Sequence, residues 1–521
     1  MSAARPRDAW LAPLAGALHL ALTRPFLYQG GFGEPDSMGM AVGIHQGILG
    51  GRGIAEPLHY AAHNHPLYEL ALLAWPGSAD LDALVALMNG VSWLSMGGAV
   101  AVFYLLSRRL VGWFWALVAT AAMASSPLFF ELSTYGHPVT PALFSFLLGA
   151  VLLVDAAASG FRSLVGAALG VACLAVALGT RSDVLFFMSA IPALSHAISP
   201  GRRTLLLASA AVAAAVALYL LGTTLLPSTG VASNGAATHH AGVGHLAAEL
   251  WALITGYCQL RMVRAGLAGF CFAAGPGMCL LVAGAAVWLA RRRAWAPLLH
   301  GAAIVLPTFL FWLGNPSPAR HFLHADVGCA LFLALAARDL PLLRPATLAA
   351  WISAVLVANL GLVPFAGAAA RAAGHRDRCV TASATCWLLG QVTQGAFAHH
   401  RRNQRYIAWN RARWERLWAE GLDGALLVGT WTDVNGLKML ASAKGLRILR
   451  DQQAHGEDSE WVELTLGGHR VHFWQRSARA RTDPRFTPDA VYILAPYPPS
   501  DLAALPAGRN EAPAWREDLT F

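Results

Sequence analysis

Apolar runs near the length of about 20 residues needed to cross a bilayer recur along most of the chain, each closed by a short polar or basic turn. They predict spans at Trp10–Tyr28, Leu81–Leu106, Gly112–Phe130, Ala142–Ala157, Leu164–Leu178 and Val184–Ile198. Further spans are expected at Leu205–Leu226, Leu267–Ala290, Ala296–Leu313, Phe322–Ala337 and Thr347–Ala368. Two shorter runs, Pro66–Trp75 and Leu246–Ile254, are too short to cross and read as helices lying in the membrane interface, the first anchored by Tyr68 and Trp75. From about Arg371 the pattern changes. Short apolar runs at Ala425–Thr430, Leu446–Leu449, Arg470–Trp474 and Ala490–Ala495 alternate with polar stretches and read as strands, with Asp433–Ala443 as a crossover helix.

The expected fold is therefore a mainly α polytopic membrane protein with about eleven transmembrane helices in residues 1–370, followed by a soluble extracytoplasmic α/β domain in residues 371–521. Composition agrees. The chain is 56% hydrophobic and 13% charged, against about 25% charged in soluble domains. Its net charge of +9 does not call for nucleic acid. Arg5, Arg7, Arg108, Arg109, Arg162, Arg202, Arg203, Arg291–Arg293, Arg338 and Arg344 all fall on one side of the predicted spans, which the positive-inside rule makes cytoplasmic. That leaves the C-terminus outside. The basic N-terminus followed by an apolar run reads as an uncleaved signal anchor, since His19, Arg24 and Pro25 interrupt it. The Ala-, Gly- and Arg-rich composition suggests a bacterium, hence its cytoplasmic membrane. Cys379 and Cys386 form either a disulfide or two free thiols.

Three polar patches fall on the outer side, where ionisable groups beside spans are functional candidates. Glu34-Pro35-Asp36 sets two carboxylates one residue apart in the first outer loop. Such a pair can act as a general base or hold a hard divalent metal such as Mg or Mn; equally, Asp36 can cap a short helix over Ser37–Leu49. His63-Asn64-His65-Pro66-Leu67-Tyr68 opens the first interfacial helix. Arg320-His321 opens the tenth span, and Arg181 and Asp183 face the same side. A guanidinium suits a phosphate oxygen by charge and fork geometry, while snorkelling to head groups or an Arg181–Asp183 ion pair are the structural alternatives.

Taken in order, the acidic motif Glu34-Pro35-Asp36, the His65–Tyr68 sequence before a short helix, and the late Arg320-His321-Phe322-Leu323 resemble the C-superfamily of membrane glycosyltransferases, nearest to protein mannosyltransferases and lipid A aminoarabinose transferases. The resemblance covers roughly Trp10–Ala368. It implies a donor carrying sugar on a polyprenyl phosphate and a lipid, glycan or protein acceptor. It also implies roles: Asp36 as catalytic base with Glu34 beside it, His65 as the motif histidine, and Arg320 at the donor phosphate, with Arg181 and His321 in support. Glu131 and His137 in the second outer loop, with Asp183, are secondary candidates. Departures are visible: Leu67 stands where the family has a second proline, and His321 where tyrosine is common. A ligase or polymerase of lipid-linked oligosaccharides, or a transporter or flippase of lipid-linked substrates, are the competing readings.

Overall fold

The computed structural model describes residues 6–28, 30–32, 35–49, 66–225, 270, 274–313, 322–338, 411–412, 414–419, 421, 423–429, 431–453, 461–466, 468–475, 490–493 and 510–511. The described chain is mostly helical. Its helices are α1 (Pro6–Thr23), α2 (Pro35–Leu49), α3 (Pro66–Leu73), α4 (Leu81–Leu110), α5 (Trp113–Ala124), α6 (Pro127–Leu132) and α7 (Val139–Ala158). Then follow α8 (Leu164–Thr180), α9 (Ala190–Ile198), α10 (Arg202–Leu225), α11 (Pro276–Arg291), α12 (Trp295–Leu313) and α13 (Leu323–Ala336). Three of these are long and apolar enough to cross a membrane: α4, α7 and the Arg202–Gly222 part of α10. Shorter apolar helices fill out the bundle.

Small residues let the bundle close. A Cβ at Gly16 of α1 would lie 2.6 Å from the Gly97 carbonyl of α4, and one at Gly149 of α7 would lie 2.9 Å from the Gly170 carbonyl of α8. With lipid as solvent there is little hydrophobic drive between helices, so such close backbone contact is a main source of cohesion.

Two expected spans are broken. The run Gly112–Phe130 divides into α5 and α6, because Ser126 turns the chain and caps α6 by accepting from the Phe129 amide at 3.2 Å, with Pro127 in the first helical position. The run Val184–Ile198 divides into a 3₁₀ segment, Ser182–Phe187, and the nine-residue α9. The helix expected at Pro66–Trp75 runs from Pro66 to Leu73, and Tyr68, Glu69 and Leu72 on one of its faces are buried in the bundle. The helix expected at Leu246–Ile254 and the span expected at Thr347–Ala368 lie outside the described residues, as do Cys379 and Cys386, while of the span expected at Leu267–Ala290 residues 270 and 274–290 are described.

The two ends of the bundle are marked by opposite ends of α4. Near its start, Asn89 donates to the Tyr28 and Gly31 carbonyls at 2.9 and 3.2 Å and accepts from the Gly136 amide at 2.6 Å. At its finish, Arg109 pairs with Asp155 near the end of α7. Arg338, past α13, donates to the Ala197 carbonyl of α9 at 2.8 Å. The Arg108–Arg109, Asp155 and Arg338 positions thus terminate their helices, while the loop between α6 and α7 meets the opposite end of α4.

Residues beyond 424 build a six-stranded sheet of order β2-β3-β4-β1-β5-β6, with β1 (Ala425–Gly429), β2 (Ile448–Gln453), β3 (Trp461–Leu466), β4 (His469–Gln475), β5 (Ala490–Ile493) and β6 (Asn510–Glu511). β1 lies parallel to β4 and β5, whereas β2, β3 and β4 are antiparallel neighbours. The tight turn between β3 and β4 uses Gly468 at φ 96°, in the left-handed region open to glycine. Helix α14 (Trp431–Ala443) follows β1 and packs on α2.

Candidate functional site

Helix α2 is buried almost all round, which for a helix in a loop requires neighbours on every side. Met38, Ala41 and Ile44 belong to the bundle core. Val42 belongs to a second core with Trp414, Leu427 and Val434. Its last turns are fastened by a closed set of hydrogen bonds. His45 Nε2 meets the Ala79 carbonyl at 3.0 Å and must donate to it. Burial holds the His45 pKa below its usual value, against the opposing pull of the Ala79 carbonyl and Asp80. The neutral ring therefore accepts at Nδ1 from the Ser442 hydroxyl, 2.7 Å away. Ser442 Oγ in turn accepts from Gln46 Nε2 at 2.9 Å. Gln46 also donates to the Leu446 carbonyl at 2.8 Å and accepts from the Ile448 amide at 2.9 Å. The sheet unit thus grips α2 from one side while the bundle holds it from the other.

Pro35 opens α2, so Asp36 is its second residue and lies inside the first turn, not at a cap before Ser37. Proline at the first position suits the helix start, and an acid in the first turn complements its dipole. The side chain of Asp36 and the whole of Glu34 fall outside the described residues, together with His65, Arg320 and His321.

The segment expected as the second outer loop is buried from Glu131 to Thr140. Glu131 is 1% exposed and accepts from the Tyr28 hydroxyl at 3.2 Å. His137 is 3% exposed; its amide donates to Ser92 Oγ at 2.8 Å, and its Nδ1 accepts from the Val139 amide at 3.1 Å. Both secondary candidates are therefore part of one polar layer that joins α1, α4 and the α6–α7 loop.

Arg181 leaves the end of α8 in an extended conformation and closes back on Asp183, its Nε 2.7 and 2.8 Å from the two carboxylate oxygens. This is the ion pair given above as the structural alternative. Asp183 fixes the plane of the guanidinium, which does not prevent Arg181 from facing an anion as well. Two residues not singled out from sequence lie at this end. His324, in the first turn of α13, is fully buried beside the Arg181–Asp183 pair, its ring 5.5 Å from Phe187, and among the described residues neither ring nitrogen has a hydrogen-bond partner. Asp326 takes a hydrogen bond from Ser126 on one oxygen and, among the described residues, none on the other. A third is Glu69 on α3, 0% exposed, with neither oxygen hydrogen-bonded among the described residues. Burial pushes its pKa well above the usual carboxylate range, and pushes the neighbouring Tyr68 hydroxyl, facing Ser92, upward as well. Partnerless buried polar groups cost about 1–3 kcal/mol each, and among the described residues His324, Asp326 and Glu69 each carry at least one.

Among the described residues there is no group of three or more His, Cys, Asp or Glu able to hold a metal ion. The Glu34 and Asp36 carboxylates stand outside that search. No protein-family model matches the chain, and no curated protein matches it significantly.

Proposed function

We propose that the chain is a membrane glycosyltransferase that moves a sugar from a polyprenyl-phosphate donor to an acceptor hydroxyl on the outer face of a bacterial cytoplasmic membrane. The observation that carries this reading is the setting of α2. The helix with Asp36 in its first turn is clamped at the bundle end that also buries Glu131, His137, Arg181 and Asp183. A catalytic group must be held closely in place to work, and α2 is held from two sides.

In this reading the Arg108–Arg109 and Arg338 end is cytoplasmic, about eleven spans bring the C-terminus outside, and the sheet unit is an extracytoplasmic domain resting on the loop-one helix. Asp36 takes the proton of the acceptor hydroxyl as its oxygen attacks the anomeric carbon. The bond from that carbon to the donor phosphate oxygen breaks, and the lipid phosphate leaves with the electron pair. Arg320 and Arg181 face its charge, with Asp183 orienting Arg181. One displacement inverts the anomeric carbon. A divalent metal held by Glu34 and Asp36 would supply further charge at the leaving phosphate.

A second reading, movement of a lipid-linked substrate, is favoured by the bond-free oxygens of Glu69 and Asp326, since buried acids in membrane bundles also serve ion-coupled transport. Purified protein given radiolabelled polyprenyl-phosphate sugars separates the two. A transferred sugar of inverted anomeric form, absent with Asp36→Asn, is expected; lipid movement without transfer, unchanged by Asp36→Asn, overturns the enzyme reading.

A further inference from the structure

We infer that the turn between α11 and α12 binds an anionic membrane phospholipid carrying two phosphates in its head group, a lipid of the cardiolipin class. The inference goes beyond sugar transfer and does not depend on it; in the topology proposed above, the site faces the cytoplasmic leaflet.

Charge gathers at this turn without a counterion. Arg291, Arg292 and Arg293 are consecutive and exposed. Neither α11, nor α12, nor the turn between them contains an acidic residue. Among the described residues no carboxylate pairs with these three arginines. Arg109, by contrast, is matched by Asp155.

The local structure keeps the arginines where they are. The Arg293 amide donates to the Ala290 carbonyl at 3.0 Å, and the Ala294 amide to the Leu289 carbonyl at 2.9 Å. These are the two bonds of a helix ending that sets the residue past the cap in the left-handed region, where glycine is usual. Here that residue is Arg293, at φ 56°. A side chain at that position is strained, because its Cβ crowds the carbonyl that follows, so arginine stands there against the preference of the backbone. One residue earlier, the Arg292 guanidinium lies 4.6 Å from the centroid of the Trp288 ring. The ring covers one face of the guanidinium and leaves its N–H edges to donate to phosphate oxygens.

Both helices leave the turn with an apolar stripe facing outward. On α12, Trp295, Leu299, Leu306 and Leu310 are exposed and share a face. At 1.5 Å per residue that stripe is about 22 Å long, more than the depth of about 15 Å of one leaflet's hydrocarbon. On α11, Leu280, Gly284 and Val287 are exposed along the face that ends at Arg291. Trp295 sits where the basic turn meets the stripe, the place of an aromatic anchor at head-group level. Acyl chains fit the stripes and phosphates fit the arginines, as in other basic sites at the ends of membrane helices. Three guanidiniums exceed the charge of one phosphodiester, so a head group with two phosphates balances them better.

The test is lipid retention by the purified full chain in detergent, read by native mass spectrometry. The probes are tetraoleoyl cardiolipin, dioleoyl phosphatidylglycerol and dioleoyl phosphatidylcholine. Combining Arg291→Gln, Arg292→Gln and Arg293→Gln is expected to weaken cardiolipin retention about a hundredfold, about fivefold for each guanidinium, and to leave phosphatidylcholine unchanged. Arg109→Gln, which removes an arginine already paired, should leave cardiolipin retention unchanged. Arg293→Gly separates lipid binding from folding. It relieves the left-handed backbone, so the lipid-free protein should melt higher while cardiolipin retention falls about fivefold. Unchanged retention in the triple variant, or an equal loss in Arg109→Gln, would overturn the site. Arg293→Gly protein that melts higher yet holds cardiolipin like wild type would overturn the part given to Arg293. Phosphatidylglycerol held as strongly as cardiolipin would overturn the two-phosphate match, and displacement of cardiolipin by inorganic pyrophosphate at equal concentration would overturn the role of the stripes.

Discussion

At one end of the bundle Arg109 meets Asp155 at 2.8 Å, with side chains 20% and 46% exposed; at the other Arg181 meets Asp183 at 2.7 Å, with side chains 7% and 10% exposed. The chemistry of the two pairs is the same and their surroundings are opposite. The first ends two helices among exposed arginines, where water and salt screen it. The second lies beside the fully buried His324. A chain that only needed to cross a membrane would keep its charges at the first kind of end. Burying ionisable groups at the other end, some of them without a hydrogen-bond partner among the described residues, is a cost to stability, and under the proposed function a bound polar ligand offsets it.

The contrast can be broken most sharply at Arg181. Arg181→Met takes the guanidinium away from the nearly buried Asp183 carboxylate, and loss of one partner of a buried pair costs about 3–5 kcal/mol. Thermal unfolding in detergent should show the largest drop of any substitution considered, and a drop no larger than that of an exposed pair would mean the two ends do not differ. Next comes the clamp on α2. Ser442→Ala removes the donor to His45 and the acceptor for Gln46, leaving buried groups unmet at about 1–3 kcal/mol. Faster proteolysis or hydrogen exchange within α2, with the rest of the bundle unchanged, is the expected sign; uniform exchange across the chain would deny the clamp.

Glu69→Gln sharpens the comparison through pH. Because the folded pKa of Glu69 is raised, the unfolded chain releases its proton first as pH rises. Wild-type stability is then full below the ordinary carboxylate pKa and declines as pH climbs toward the folded value. The variant should match wild type in acid and exceed it at neutral pH, and melting curves that stay parallel across that range would place Glu69 in water. The smallest effect is expected at the basic end. Arg109→Met should cost at most about 1 kcal/mol, as exposed pairs do, and less still in high salt.

Much of the bundle was legible from apolar run length, because crossing a bilayer constrains length and composition together. The breaks were less so. Ser125-Ser126-Pro127 interrupts an apolar run too briefly to lower its average, yet a capping serine followed by proline is a legible helix start. For α2 the sequence carries its own signal: apart from His45 and Gln46, Met38–Leu49 is apolar or glycine on every face, which fits a helix buried on all sides better than a loop helix lying in water. The site was legible only in part. Asp36, Arg181, Glu131 and His137 stand out as polar groups between spans. His324, Asp326 and Glu69 sit inside apolar segments, at Phe322–Ala337 and Pro66–Trp75, where hydropathy absorbs a single polar residue. Their spacing from Arg320 and His65 was the available clue, and only packing could say that they are buried without partners.

The central claim is that the buried polar end performs sugar transfer with Asp36 as the base. The most direct measurement is the single-turnover rate of transfer from a polyprenyl-phosphate sugar by wild type and by Asp36→Asn, at donor concentrations that saturate both. Loss of a positioned general base predicts a rate lower by about 10²–10⁴-fold with donor binding retained; an Asp36→Asn protein that transfers sugar at the wild-type rate would contradict it.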